Sequence, residues 1–183
     1  MPASPDETPA VSSTPSAPVT PSAPAAPTAV TPKAIDPRGP RFGAGITAVL
    51  LLIVVFLGLA GLTTAAFVLL LLAAALFAWG AFAGIQRHPY GLLFKRVVRP
   101  RLAPPAELED AAPPTFAQGI GLVVTGLGVI LHLFGVPYIL VIAAALAFIA
   151  AFLNSVFGYC IGCQIYLVLV RAGVIRPHRA VIG

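Results

Sequence analysis

Cys160 and Cys163, in the stretch FGYCIGCQIYLVLVR (157–171), are the only two cysteines in the chain. Cysteines three residues apart on a helix share one face. That spacing is compatible with the Cα separation a disulfide needs. At the start of a helix, the partial positive charge of the N-terminus favours thiolate. A C-x-x-C so placed could exchange electrons or carry sulfur. In the cytoplasm such thiols are kept mostly reduced, which argues against a permanent structural disulfide. The competing reading is packing: Cys is a small apolar residue, and GYCIG (158–162) is a G-x-x-x-G contact pattern. Metal binding is a third reading. No second C-x-x-C completes a zinc site within one chain, so a dimer or His residues would have to supply the other ligands. No resident metal or cofactor is expected.

His88 and Arg87 lie in GIQRHPY (84–90), at the end of an earlier apolar run. A cation near a thiol lowers its pKa, and a histidine can also exchange its proton. The structural alternative is a turn in which Pro89 stops a helix. His132, in VILHLFG, is an ionisable residue within an apolar run and is a functional candidate by default. It lies roughly 30 Å from the cysteines at 1.5 Å of rise per residue, too far to share their chemistry. Asn154 and Ser155 are closer and could hydrogen-bond a thiolate or cap a broken helix. The acidic ELED (107–110) solvates a basic loop. No Walker loop, nucleophile elbow, His-rich metal box or dinucleotide fingerprint occurs.

The elements that must position these residues follow from composition. Of the 183 residues, 58% are hydrophobic and only 9% charged, with a mean hydropathy of +0.97. Soluble domains carry about 25% charged residues, so lipid must be the solvent for much of this chain. The net charge of +5 would fit a nucleic-acid partner, but flanking charge around membrane spans explains it better, and no nucleic acid is expected. Apolar runs cover about 42–60, 65–84, 116–134 and 138–157. Each approaches the ~20 residues that cross a bilayer as a helix, the conformation that satisfies its own backbone in lipid. The short breaks GLTT and GVP join the runs in two hairpins.

All eleven Lys and Arg fall before the first run, between the second and third, or after the fourth. The positive-inside rule then places both termini and the middle loop in the cytoplasm of a bacterial cell, with the spans in its plasma membrane. The run from Tyr138 to Val170 exceeds one crossing. It is expected to break near Gly158 and Gly162, with a second helix over Gln164 to Arg171 on the cytoplasmic face. Residues 1–35 form a Pro/Ala-rich tail that cannot bury a core and reads as disordered. It lacks the pattern of a signal peptide. PSAP occurs twice there, which is compatible with a Pro-rich ligand, although a plain spacer suits the composition better. The membrane domain is 36–176, and 177–183 is a short basic tail.

Self-similarity runs through the domain. DPRGPRFGAGI (36–46) and DAAPPTFAQGI (110–120) share D-x-x-x-P-x-F-x-x-G-I at an offset of 74 residues. The same offset pairs Gly61 with Gly135 and Gly84 with Gly158. YGLLFK (90–95) resembles YLVLVR (166–171) after each hairpin. Such a parallel repeat would place a pseudo-twofold axis along the membrane normal. GIQRHPY would then stand where the second half has GYCIGCQIY. The fold class is therefore all-α membrane: four spans in two tandem hairpins, each followed by a short interfacial helix.

The combination of DPRGPRF, HPYGLLFKRVVRPRL, PPTFAQGIGL and NSVFGYCIGCQIY resembles DUF4395, a bacterial membrane family defined as a domain of unknown function, over about residues 34–175. The resemblance implies a four-span architecture and no reaction. Three functions compete. The first is thiol redox or sulfur relay at Cys160 and Cys163, supported by Arg87 and His88, with a thioredoxin-like or sulfurtransferase-like cytoplasmic partner. The second is a non-enzymatic membrane subunit or scaffold, for which a homo-oligomer is one expected form. The third, a small transporter, fits less well because the spans hold almost no charge.

Overall fold

Four helices long and apolar enough to cross a bilayer carry the computed structural model, which describes residues 34–175. They are α1 (Arg38–Leu59), α2 (Thr63–Ala83), α4 (Ala112–Leu133) and α5 (Ile139–Phe157). Their outward faces are apolar, with Phe82 85% exposed and Phe134 80% exposed, as suits helices set in lipid. The chain is an all-α membrane protein of four spans in two hairpins. The expectations for 1–33 and 176–183 lie outside the described residues.

Both hairpins begin and turn by the same local devices. Asp36 Oδ1 accepts the N–H of Arg38 at 3.0 Å, and Asp110 Oδ1 accepts that of Ala112 at 3.0 Å. Each bond satisfies one of the backbone donors that a helix start leaves without an intrahelical partner. Proline is tolerated in the first turn, so α1 and α4 begin about four residues before the apolar runs do. At the far end Gly61 and Gly135 have φ of +79° and +80°. The N–H of Leu62 reaches Leu57 O at 2.9 Å, and that of Val136 reaches Leu131 O at 3.1 Å. These are Schellman closures, which need a left-handed residue and so favour glycine.

The spans form a ring in the order α1, α2, α4, α5. The most extensive contact of α1 is with α5 and that of α2 is with α4, so the hairpins interlock. Small residues allow close approach between helices in lipid. A Cβ at Gly45 would lie 2.9 Å from Ser155 Oγ, and one at Gly80 would lie 2.7 Å from Gln118. A packed cluster including Leu51, Val54, Leu70, Val129, Ala143 and Ala144 fills the ring. It lies toward the hairpin turns, away from the basic residues.

The two segments after the hairpins differ. After α5, α6 (Ile161–Arg171) is a regular helix that packs on α4. After α2 the chain makes a 3₁₀ turn (Ile85–Arg87), then α3 (Pro89–Leu93), a π turn (Phe94–Val98) and another 3₁₀ turn (Arg99–Arg101). Pro89, Gly91 and Pro100 deny this stretch a continuous helix. Aromatic pairs hold both segments to the spans: Phe42 on Phe94 at 5.8 Å, and Phe116 on Tyr166 at 5.6 Å. A feature with no sequence signal is a ribbon of two two-residue strands. In it β1 (Ala34–Ile35) pairs antiparallel with β2 (Glu109–Asp110), and Ile35 faces Glu109. Residues 34 and 35, assigned to the tail by composition, belong to this ribbon. Arg38 fastens it, bonding Asp36 at 2.8 Å and the carbonyl of Ala103 at 3.0 Å.

Candidate functional site

Span α5 stops at Gly158, whose φ is +68° and whose N–H bonds Asn154 O at 3.1 Å. The guanidinium of Arg41 packs over this glycine, where a Cβ would lie 3.1 Å from Arg41 Cζ. A cation there suits the negative end of α5. Two residues on, Cys160 takes an extended conformation and caps α6: the N–H of Cys163 donates to Cys160 Sγ at 3.3 Å. The two sulfurs are bonded to each other, with Cα atoms 5.2 Å apart, where the sequence pointed to mostly reduced thiols. The cysteine cap moves the start of α6 to Ile161, three residues before the expected Gln164. Gly162 is not a break. It lies inside the helix, where a Cβ would come within 2.6 Å of Ala117 Cβ.

His88 holds the corresponding place after the first hairpin, as N-cap of α3. Its Nδ1 accepts the N–H of Tyr90 at 3.3 Å, and its Nε2 lies 3.1 Å from Leu76 O. Together these bonds assign a neutral ring with the proton on Nε2, because Nδ1 is already an acceptor. The side chain is 4% exposed, and burial pushes its pKa below the ordinary value. Arg87 is exposed, and its carbonyl accepts the indole N–H of Trp79 at 3.2 Å.

Between the ribbon and the packed cluster lies a cavity of about 440 Å³. Small-molecule sites run from roughly 300 to 1,000 Å³. All four spans contribute walls, and Ala34, Ile35 and Leu108 line its ribbon end. Along α1 it extends from Gly39 to Thr47, roughly 12 Å of helix rise. Cys160 and His88 both line it, one from each post-hairpin segment, while neither Cys163 nor Arg87 does. Asn154 lines it too. Ser155 instead faces Gly45 across the α1–α5 contact. His132 stacks on Phe67 near the hairpin turns, with ring centroids 5.4 Å apart. Among the described residues no three of His, Cys, Asp and Glu converge as a metal would need.

Motif reading missed the cavity, although a signal for it exists. Pro40, Gly43, Ala44 and Thr47 line it from α1, and Pro114, Ala117, Gln118 and Gly121 line it from α4. The positions of these two sets of small or polar residues differ by 74 throughout, the same offset that separates DPRGPRFGAGI from DAAPPTFAQGI. Helical stripes of small residues normally mark close packing. Here they also face open space.

No curated protein and no solved structure matches the chain. The model of the family described as domain of unknown function DUF4395 matches residues 35–171, from the ribbon through the last residue of α6, and the chain therefore belongs to that family.

Proposed function

We propose that this protein does thiol redox or sulfur-relay work through Cys160 and Cys163, on the cytoplasmic face of a bacterial plasma membrane with both termini inside. The observation that carries the reading is the cap: Cys160 Sγ accepts a backbone N–H at the start of a helix and lines a cavity, while Cys163 stands one turn on. In the reduced pair, a thiolate at Cys160 is stabilised by that N–H and by the helix terminus. Cys160 is then the attacking sulfur. Its thiolate attacks a disulfide of a thioredoxin-like partner, forming a mixed disulfide and expelling one partner thiolate. Cys163, deprotonated, attacks Cys160 and releases the second, leaving the intramolecular disulfide and a reduced partner. In a relay, the Cys160 thiolate would instead attack the outer sulfur of a persulfide on a sulfurtransferase-like protein, breaking its S–S bond, becoming a persulfide itself and releasing the donor cysteine as a thiolate. The matched starts, turns and caps of the halves support their origin by duplication, with His88 and Cys160 as counterparts.

The test uses Cys163→Ser in the full chain. Cys160 should alkylate with an apparent pKa below the ~8.5 of a free thiol and trap a cytoplasmic partner as a mixed disulfide. A normal titration with nothing trapped would sink the reading. It would favour a second one, a non-enzymatic subunit in which CIGC packs α6 onto α4. That alternative rests on the close approach of Gly162 to Ala117, and under it the double Cys→Ala variant keeps its complexes.

A further inference from the structure

The cavity combines an apolar depth with a cationic rim. Phe77, Ile120, Val124, Ala147, Ala150 and Ala151 form its inner walls, at the level of the spans. Ala147 belongs both to the wall and to the packed cluster, so the cavity ends where the cluster begins. At the basic end it is lined by Lys95 and Arg99, both exposed. They stand four residues apart, and among the described residues neither side chain has an ion pair or hydrogen bond. The one carboxylate in the lining, Asp36, is engaged by Arg38 at 2.8 Å. That bond holds its carboxyl below the usual range and keeps it charged. The rim therefore retains an excess of positive charge after its own acid is accounted for.

Each half of this arrangement excludes a class of occupant. A small inorganic anion would satisfy the rim and leave the apolar depth empty. A wholly apolar molecule would fill the depth and leave the rim's net positive charge unanswered, since Asp36 is already bonded to Arg38 and only its residual field reaches Arg99. Polar groups line it as well: Asn154 toward the basic end, Gln118 further in, and Thr47 at the deep end of the α1 wall. We propose that the cavity is a binding site for an amphiphile with an anionic head and an apolar chain, such as a fatty acid or a lipid phosphate. Its head sits at Lys95 and Arg99, and its chain runs down between α1, α4 and α5. This goes beyond the thiol reading and stands without it, since no step of the argument uses the reactivity of Cys160.

The experiment labels the full-length protein in nanodiscs with a diazirine-bearing decanoic acid, maps the adducts by mass spectrometry, and repeats this with the methyl ester. The acid should mark cavity walls such as Val124 and Ala150 in preference to lipid-facing Phe82. Decyl phosphate should compete, and inorganic phosphate should not. K95Q/R99Q should reduce cavity labelling by the acid about fivefold, the scale of two exposed ion pairs, and leave the ester unchanged. Ala150→Phe, which fills the depth, should abolish it. Should that variant fail to fold, the exposed pair decides alone. The proposal is overturned if adducts are confined to the lipid-facing surface, if K95Q/R99Q has no effect, or if inorganic phosphate competes as well as decyl phosphate.

Discussion

His88 illustrates how much one side chain can hold. It joins the C-terminal half of α2, through Leu76 O, to the start of α3, through the N–H of Tyr90. Protonating Nδ1 would abolish the second bond and place a charge where only 4% of the side chain meets solvent. Its folded-state pKa lies below the ordinary 6.5. The unfolded chain therefore binds the proton more readily, and the sign of the linkage follows. The contribution to stability is complete above about pH 6.5 and is lost as pH falls from there toward the lower, folded-state pKa. Thermal unfolding in detergent from about pH 7.5 to about pH 5.5 should show this loss in the native chain, with a flatter profile for His88→Gln. Equal slopes would rule the role out. The turn itself was legible in HPY. The bond to Leu76, twelve residues earlier, was not, because it depends on how α2 meets the segment after it.

Helices that face lipid write their lengths plainly in sequence, since every backbone group must be satisfied inside the span. The four spans and their two turns were accordingly readable. Irregular elements were not. The stretch 85–101 changes helical type three times because Pro and Gly interrupt it, and no periodicity records such changes. The start of α6 was misplaced by three residues because cysteine is an unusual cap. Its reading as a helix following a break at Gly158 held. The same helix supplies a test of its docking. A Cβ at position 162 would overlap Ala117, and overpacking of this kind typically costs about 1–3 kcal/mol. Gly162→Val should therefore lift α6 from α4 and lower the unfolding temperature. After mild reduction it should also speed maleimide capture of Cys160 and Cys163. Unchanged melting and labelling would mean that α6 is not held there.

Over the whole molecule, the hairpins are not independent units. The largest contact of α1 is with α5, in the other half, and α2 relies likewise on α4. A chain divided between Pro104 and Pro105, with both halves produced together, should reassemble and co-purify through detergent. Halves that elute separately as folded species would contradict the interlocked ring. The division spares the ribbon, whose strands then lie on different fragments. The ring order could not be derived from hydropathy, which counts spans without saying which of them touch. Matching small residues on α1 and α4 carried more, since residues recurring at one offset on two helices can face a common space. The ribbon itself left no trace, because two-residue strands have no pattern to read.

That ribbon also imposes an order on biosynthesis. One strand precedes the first span and the other precedes the third. A nascent chain that has inserted only its first hairpin has two walls and half of a roof. The cavity comes into being when translation delivers Glu109 and the spans behind it, and Cys160 and Cys163 follow last.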